Sequence, residues 1–203
     1  MIRVAILGDI GSGKSFIAKN FGYPVFNADV VVAKLYKSNK KVFKKLKKNL
    51  PGYFSTFPTK KHEVSNAILA DKKNLKKIVK IVHSEVRKKM KTFLNKNKNK
   101  KIVILDIPLL LENKINKKGD VLVFVNSSRT QILNKIKKRK NFNENIYKKF
   151  KKIQLPLDYK KRMSDFIIKN DFTKKKVLKY IKNIKIKLLD ERSSSRYWND
   201  WPF

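Results

Sequence analysis

Along the chain, short apolar runs rich in Val and Ile alternate with longer stretches in which apolar positions recur at three- and four-residue steps. The first pattern marks buried strands and the second marks amphipathic helices, so the alternation predicts an α/β protein with a mostly parallel sheet. The predicted strands are Ile2–Leu7, Pro24–Phe26, Ile102–Ile107, Val121–Asn126 and Phe166–Ile168. Helices are predicted from near Lys14, over Val30–Tyr36, Leu75–Leu94, Thr130–Lys138, Glu144–Ile153 and Lys174–Leu189. In the longest, Leu75, Ile78, Val79, Val82 and Val86 form one stripe that packs inward while lysines cover the other face, and His83 sits beside the stripe. The run NKNKNKK at 95–101 holds no apolar residue and reads as a solvated loop. The end, ERSSSRYWNDWPF, breaks the helical pattern and carries Trp198 and Trp201. It reads equally as a flexible tail or as an aromatic cover for an apolar patch.

Between the first strand and the first helix stands Gly8-Asp9-Ile10-Gly11-Ser12-Gly13-Lys14-Ser15, which fits the phosphate-loop pattern G-x-x-x-x-G-K-[ST] in its required context. Three of the chain's six glycines lie in these eight residues, where the missing side chains let backbone N–H groups close around phosphate oxygens. Gly11, Ser12, Gly13, Lys14, Ser15 and Phe16 are the nucleotide-binding candidates. Lys14 brings a positive charge to the β- and γ-phosphates, and the Ser15 hydroxyl suits Mg²⁺. The loop implies a nucleoside triphosphate but not what is done with it. A guanine-reading N-K-x-D motif is missing, which argues against a GTPase. Two carboxylates follow predicted strands, Asp29 and Asp106, and ligands of doubly wound sheets bind beyond strand carboxyl ends. Asp106 suits Mg²⁺ through water and Asp29 suits a base accepting a hydroxyl proton. Either could equally cap the turn or helix that follows it.

Composition narrows the remaining chemistry. The 203 residues include no cysteine and only two histidines, His62 and His83, which excludes disulfides, thiolate nucleophiles and Cys-built metal sites and leaves little for a His-built one. A hydrophobic share of 41%, with 13 Phe, 7 Tyr and 2 Trp, is enough for a folded core. No apolar run reaches the roughly 18 residues of a membrane span, and the start reads as a buried strand, so a soluble cytoplasmic protein without membrane contact is expected. The net charge of +37 invites a nucleic-acid reading. However, the 52 basic residues are spread through nearly every segment, and only seven are Arg. Lys, Asn, Ile and Phe share A/T-rich codons, so drift in base composition accounts for a solvated lysine surface, and no specific nucleic-acid partner is expected.

Several further segments, in order and at matching spacing, make the chain similar to one family. After GDIGSGKS come Asn27-Ala28-Asp29, Val82-His83-Ser84, Pro108-Leu109-Leu110-Leu111-Glu112, Arg139, Gln154 and Ser164-Asp165-Phe166-Ile167-Ile168-Lys169-Asn170. From Ile2 to about Leu188 the chain resembles the dephospho-coenzyme A kinases. The resemblance implies a P-loop NTPase fold, with a five-stranded mostly parallel sheet, helices on both faces and a helical lid. It implies one kinase domain over 1–190, with a substrate-side helical region at about 37–98 and a lid at about 138–160, followed by a tail at 191–203. The implied reaction is transfer of the ATP γ-phosphoryl group to the ribose 3′-hydroxyl of dephospho-coenzyme A, with Mg²⁺ as cofactor and a monomer as the acting species. Asp29 holds the place of the family's base, and Lys14 and Ser15 carry over directly. Arg139 falls at the lid arginine, and His83, Pro108, Leu109 and Glu112 fall on the acceptor side. For His83 a satisfied helix-face ring is the competing reading.

The chain departs from the family pattern at Asp9, Phe16, Asn27, Ser84 and Lys140. Asp9 brings an anionic side chain near the phosphates unless it turns to solvent, whereas Phe16 can still offer its backbone N–H. Three other readings stay open at this level. They are a phosphate-loop kinase with another nucleotide or metabolite acceptor, a nucleic-acid-stimulated ATPase, and a binding-only relative.

Overall fold

The computed structural model describes residues 1–139 and 142–190, so Lys140 and the 191–203 segment with Trp198 and Trp201 lie outside the described residues. Five strands form one sheet: β1 (Ile2–Gly8), β2 (Val25–Asn27), β3 (Ile102–Asp106), β4 (Val121–Asn126) and β5 (Phe166–Lys169), in the spatial order β2-β3-β1-β4-β5. β1 runs parallel to β3 with Val4 opposite Ile104, and parallel to β4 with Ile6 opposite Val123; β4 runs parallel to β5 with Val125 opposite Ile168. Central parallel strands are covered on both faces, which is why β1 from Val4 to Leu7 and β3 from Ile102 to Leu105 read as apolar runs and not as alternating ones. All five residues of β3 are buried, the terminal carboxylate included. Among the described residues the helices are α1 (Lys14–Asn20), α2 (Ala28–Ser38), α3 (Lys40–Asn49), α4 (Lys61–Ala70), α5 (Lys72–Lys96), α6 (Arg129–Lys137), α7 (Glu144–Lys152), α8 (Leu157–Arg162) and α9 (Lys174–Leu189).

The chain divides into two compact units. The first comprises the described residues of Met1–Phe26, Asn99–Phe142 and Gln154–Phe203. Its core joins Val4, Ile6, Ile102, Ile104, Val123, Val125 and Ile168 of the sheet to Ile17, Ala18 and Phe21 of the α1 region and to Val177, Ile181, Ile184 and Leu188 of α9. The α9 set recurs at three- and four-residue steps, as an amphipathic helix on a sheet requires. The second unit, Asn27–Lys98 with Asn143–Ile153, is helical. There α5 packs against α2, α3 and α4, and α7 packs on α4, where the Lys149 ammonium donates to the Ile68 and Leu69 carbonyls at 2.8 and 2.7 Å. The cation thus satisfies the carbonyls that a helix leaves bare at its C-terminus.

The predicted strands and longer helices are present with boundary shifts of a few residues. Three helices, α3, α4 and α8, are not marked one by one by the apolar spacing, although α3 and α4 fall within the helical region that the resemblance implies at about 37–98. In α3, KKVFKKLKKN, Val42 and Leu46 are buried and Phe43 is half-buried, and three apolar residues in so short and lysine-rich a stretch do not establish a period. The short α8 is no clearer. In α4 the start rests on Glu63, whose carboxylate accepts the Lys60 N–H at 3.0 Å and the Ser55 N–H at 3.0 Å. Helix α5 begins earlier than predicted because Asp71 caps it through the Lys73 N–H at 2.8 Å, and it extends into the lysine-asparagine run as far as Lys96. No helix among the described residues is long and apolar enough to cross a membrane.

Candidate active site

The carboxyl ends of β1, β3, β4 and β5 supply the first unit's polar groups. After β1 the chain turns through the phosphate loop into α1, whose N-cap, Gly13, has a φ of 93°. That left-handed conformation costs a side-chain-bearing residue energy, and a Cβ there would also lie 2.6 Å from Asn170 Nδ2, so only glycine fits. No side chain caps α1, and its first internal bond runs from the Ile17 N–H to the Gly13 carbonyl. A helix N-terminus of this kind, entered through a Gly-rich loop, suits an anion, which the helix dipole also favours. The Lys14 ammonium folds back over the loop, donating to the Asp9 carbonyl at 2.7 Å and the Gly8 carbonyl at 3.3 Å. Ser15 and Phe16 are exposed, the Phe16 ring by 43%.

Asp9 does not turn to solvent. It is 6% exposed, and its carboxylate accepts the Ile10 N–H at 2.7 Å, so the side chain is tied into the loop's own backbone. Ser12 is wholly buried; its N–H donates to the Asp9 carbonyl at 3.1 Å, and its hydroxyl is buried without a hydrogen-bond partner. Its carbonyl accepts from Asn170 Nδ2 at 2.8 Å and from Ser127 Oγ at 3.0 Å.

Asp106 ends β3 and is 3% exposed. With the Ser15 hydroxyl it offers hard oxygen donors, the type that suits Mg²⁺. Among the described residues no group of three or more His, Cys, Asp or Glu is gathered to hold a metal. A Mg²⁺ ion here would therefore need phosphate and water oxygens to complete its shell, which is its usual mode. Beyond β3, Pro108 is exposed, Leu109 adopts a φ of 55°, and Leu110 is buried. Glu112 Oε1 accepts from Lys160 Nζ at 2.6 Å and from the Leu155 N–H at 3.0 Å. The two charged side chains are 9% and 4% exposed, so this ion pair sits in the interior and ties the loop after β3 to the start of α8. Arg139 is exposed just beyond α6, and its carbonyl accepts the Phe142 N–H at 2.9 Å.

Two predicted site residues belong to the second unit. Asp29 is exposed in the first turn of α2. The cap of that helix is Asn27, whose side chain accepts the Val30 N–H at 2.8 Å, so Asp29 is not the capping residue. His83 is half-buried on α5, and burial first, then the Arg87 charge, holds its imidazole below the ordinary histidine range. The first unit carries Gly11–Phe16, Asp106, Pro108, Leu109, Glu112 and Arg139. The sequence reading assigned no role to Ser127 or Lys160. Asn170 entered it only as the last residue of a strand segment, whereas Lys160 is one lysine among many and carries no signal of its own.

A family model described as dephospho-CoA kinase matches residues 2–176. The chain belongs to the dephospho-CoA kinase family. A dephospho-CoA kinase from Wolbachia sp. subsp. Brugia malayi is 34% identical over 186 residues, covering 89% of this chain and 95% of that one. One from Bartonella henselae is 32% identical over 190 residues, covering 89% and 97%. The fold is shared with the crystal structure of TT1252 from Thermus thermophilus, at a TM-score of 0.78 and 24% identity, covering 93% of this chain and 97% of that one. Two departures from the dephospho-CoA kinase pattern have a physical explanation here. Asn27 retains the capping function that Asp would serve, and the exposed Phe16 ring leaves the loop's backbone unobstructed.

Proposed function

We propose that the chain transfers the γ-phosphoryl group of ATP to the ribose 3′-hydroxyl of dephospho-coenzyme A. The observation that carries this reading is the dephospho-CoA kinase match over residues 2–176, which includes an intact phosphate loop between β1 and α1. Phosphoryl transfer asks the protein chiefly to position the reactants and to offset charge. In our reading the first-turn N–H groups of Gly13 to Phe16 cradle the phosphates, and Lys14 meets the β- and γ-oxygens. Ser15 and Asp106 are the residues that would hold Mg²⁺, Asp106 through water. When bound, Mg²⁺ screens the phosphate oxygens and favours in-line geometry.

Asp29 takes the proton of the acceptor 3′-hydroxyl as that oxygen bonds to the γ-phosphorus and the bond to ADP breaks. Its exposure in a helical first turn suits a group that must reach a bound substrate. Arg139 meets the charge developing on the transferring group. His83, Pro108, Leu109 and Glu112 serve the acceptor side, Glu112 while holding Lys160 in its ion pair. Arg139 also serves the lid, which keeps water from the γ-phosphate.

The test is ATP- and Mg²⁺-dependent formation of coenzyme A, run beside a panel of nucleoside, nucleotide and metabolite acceptors and a nucleic-acid-stimulated hydrolysis control. Product from dephospho-coenzyme A alone supports the assignment. Turnover only with another acceptor, or only with nucleic acid present, overturns it.

A further inference from the structure

The Ser12 carbonyl accepts two side-chain hydrogen bonds, and neither donor belongs to the phosphate loop. Asn170 follows β5 and donates through Nδ2 at 2.8 Å; Ser127 follows β4 and donates through Oγ at 3.0 Å. The Asn170 amide is itself oriented, because Oδ1 accepts the Phe172 N–H at 2.9 Å and its own N–H donates to the Asn126 carbonyl at 2.8 Å. With Oδ1 engaged there, the NH₂ is the group left to face Ser12, and a 3% exposed side chain has no room to turn.

A planar trans peptide directs its C=O and its N–H to opposite sides. Holding the Ser12 carbonyl from behind therefore fixes the direction of the Gly13 N–H in front, where the loop faces its ligand. Gly13 meets the same amide a second time, since its missing Cβ is what lets Asn170 approach. We infer that Asn170 and Ser127 are positioning residues that orient the Ser12–Gly13 peptide toward the phosphates of a nucleoside triphosphate. The value of such an arrangement lies in preorganisation: an N–H dipole already aimed needs no reorganisation when charge arrives or shifts. The inference rests on the kinase reading above for the identity of the ligand.

The experiment compares wild type with Asn170→Asp, Ser127→Ala, Ser127→Thr and the double variant Asn170→Asp/Ser127→Ala. It measures affinity for a non-hydrolysable ATP analogue with Mg²⁺, KM for ATP and for dephospho-coenzyme A, kcat, and Tm. Asn170→Asp keeps size and the Phe172 bond but turns an acceptor onto the carbonyl. It is expected to weaken analogue binding and raise the KM for ATP by about 10-fold or more, with the KM for dephospho-coenzyme A unchanged. Ser127→Ala is expected to raise the KM for ATP by about 3-fold, and Ser127→Thr, which restores the hydroxyl, to recover most of that loss. The double variant should depart from the product of the two single effects, because both donors share one acceptor.

A lower Tm with unchanged analogue affinity and unchanged KM for ATP overturns the inference, and so does equal weakening toward both substrates. If Asn170→Asp does not fold, the Ser127 pair still decides through the same ratio. Wild type that binds the analogue in an Asn170-dependent way, yet makes no coenzyme A, sinks the kinase reading and leaves the positioning role standing.

Discussion

The phosphate loop and helix α3 are of comparable length and are specified in opposite ways. In the loop Ser12 is wholly buried, Asp9 is nearly so, and Gly13 adopts a backbone conformation that admits no Cβ. In α3 the lysines at 40, 41, 44, 45, 47 and 48 are all exposed, and Val42 and Leu46 alone are buried. A side chain added at Gly8, Gly11 or Gly13 meets the Val125 backbone, the Ile136 side chain or the Asn170 amide, whereas one on the outer face of α3 meets solvent. Charge count is therefore a poor guide to where the chemistry lies, and steric and hydrogen-bond constraint is a better one.

The largest expected effect would cross that division, because it concerns an exposed residue of the helical unit. Asp29→Asn should lower kcat on dephospho-coenzyme A by about 10²–10⁴-fold with little change in the KM for ATP, read by product formation. An undiminished kcat would remove Asp29 from the chemistry and leave it a solvent-facing carboxylate like any other.

A smaller loss sharpens the contrast between buried and exposed lysines. Lys160→Met should destabilise the chain by about 3–5 kcal/mol by stranding the Glu112 carboxylate in the interior, and Glu112→Gln/Lys160→Met should recover most of it. Urea unfolding of both variants checks this, and a single variant as stable as wild type would show that the pair is not structural. Next, Asn27→Ala should cost about 1 kcal/mol through loss of the α2 cap while Asn27→Asp stays near wild type, as Tm comparison would show. Equal loss in both would mean that Asn27 acts through something other than its cap.

The smallest effect tests the surface itself. Lys44→Gln, Lys45→Gln and Lys48→Gln should each change stability by no more than about 0.5 kcal/mol and leave activity intact at physiological salt. Loss of activity under those conditions would end the reading of the lysine excess as a solvated surface.

Much of this was legible before the fold was known. The phosphate loop could be read because few sequences satisfy its backbone, and β1, β3 and β4 because parallel strands buried on both faces appear as near-continuous apolar runs. Helix α9 was readable end to end because Val177, Ile181, Ile184 and Leu188 keep one face over about three turns. Helix α3 offered three apolar positions among lysines, of which two are buried, and α8 is a six-residue helix in which the only buried residue is a lysine. No period survives at that size.

The sequence by itself determined the fold class, the loop that takes a nucleotide and the family, because these rest on local spacing and on motifs kept in order along the chain. It placed Asn27, Asp29 and Glu112 at matching positions but could not say which would cap a helix, which would stay exposed and which would be drawn into an ion pair. The tertiary structure alone decided that Asn27 caps α2, that Lys160 neutralises Glu112 in the interior, and that Asn170 and Ser127 reach the Ser12 carbonyl from across 158 and 115 residues. Partners so far apart in sequence leave no spacing to read; only the assembly of the sheet brings β4 beside β1 and β5 beside β4, and the hydrogen bonds follow from that proximity.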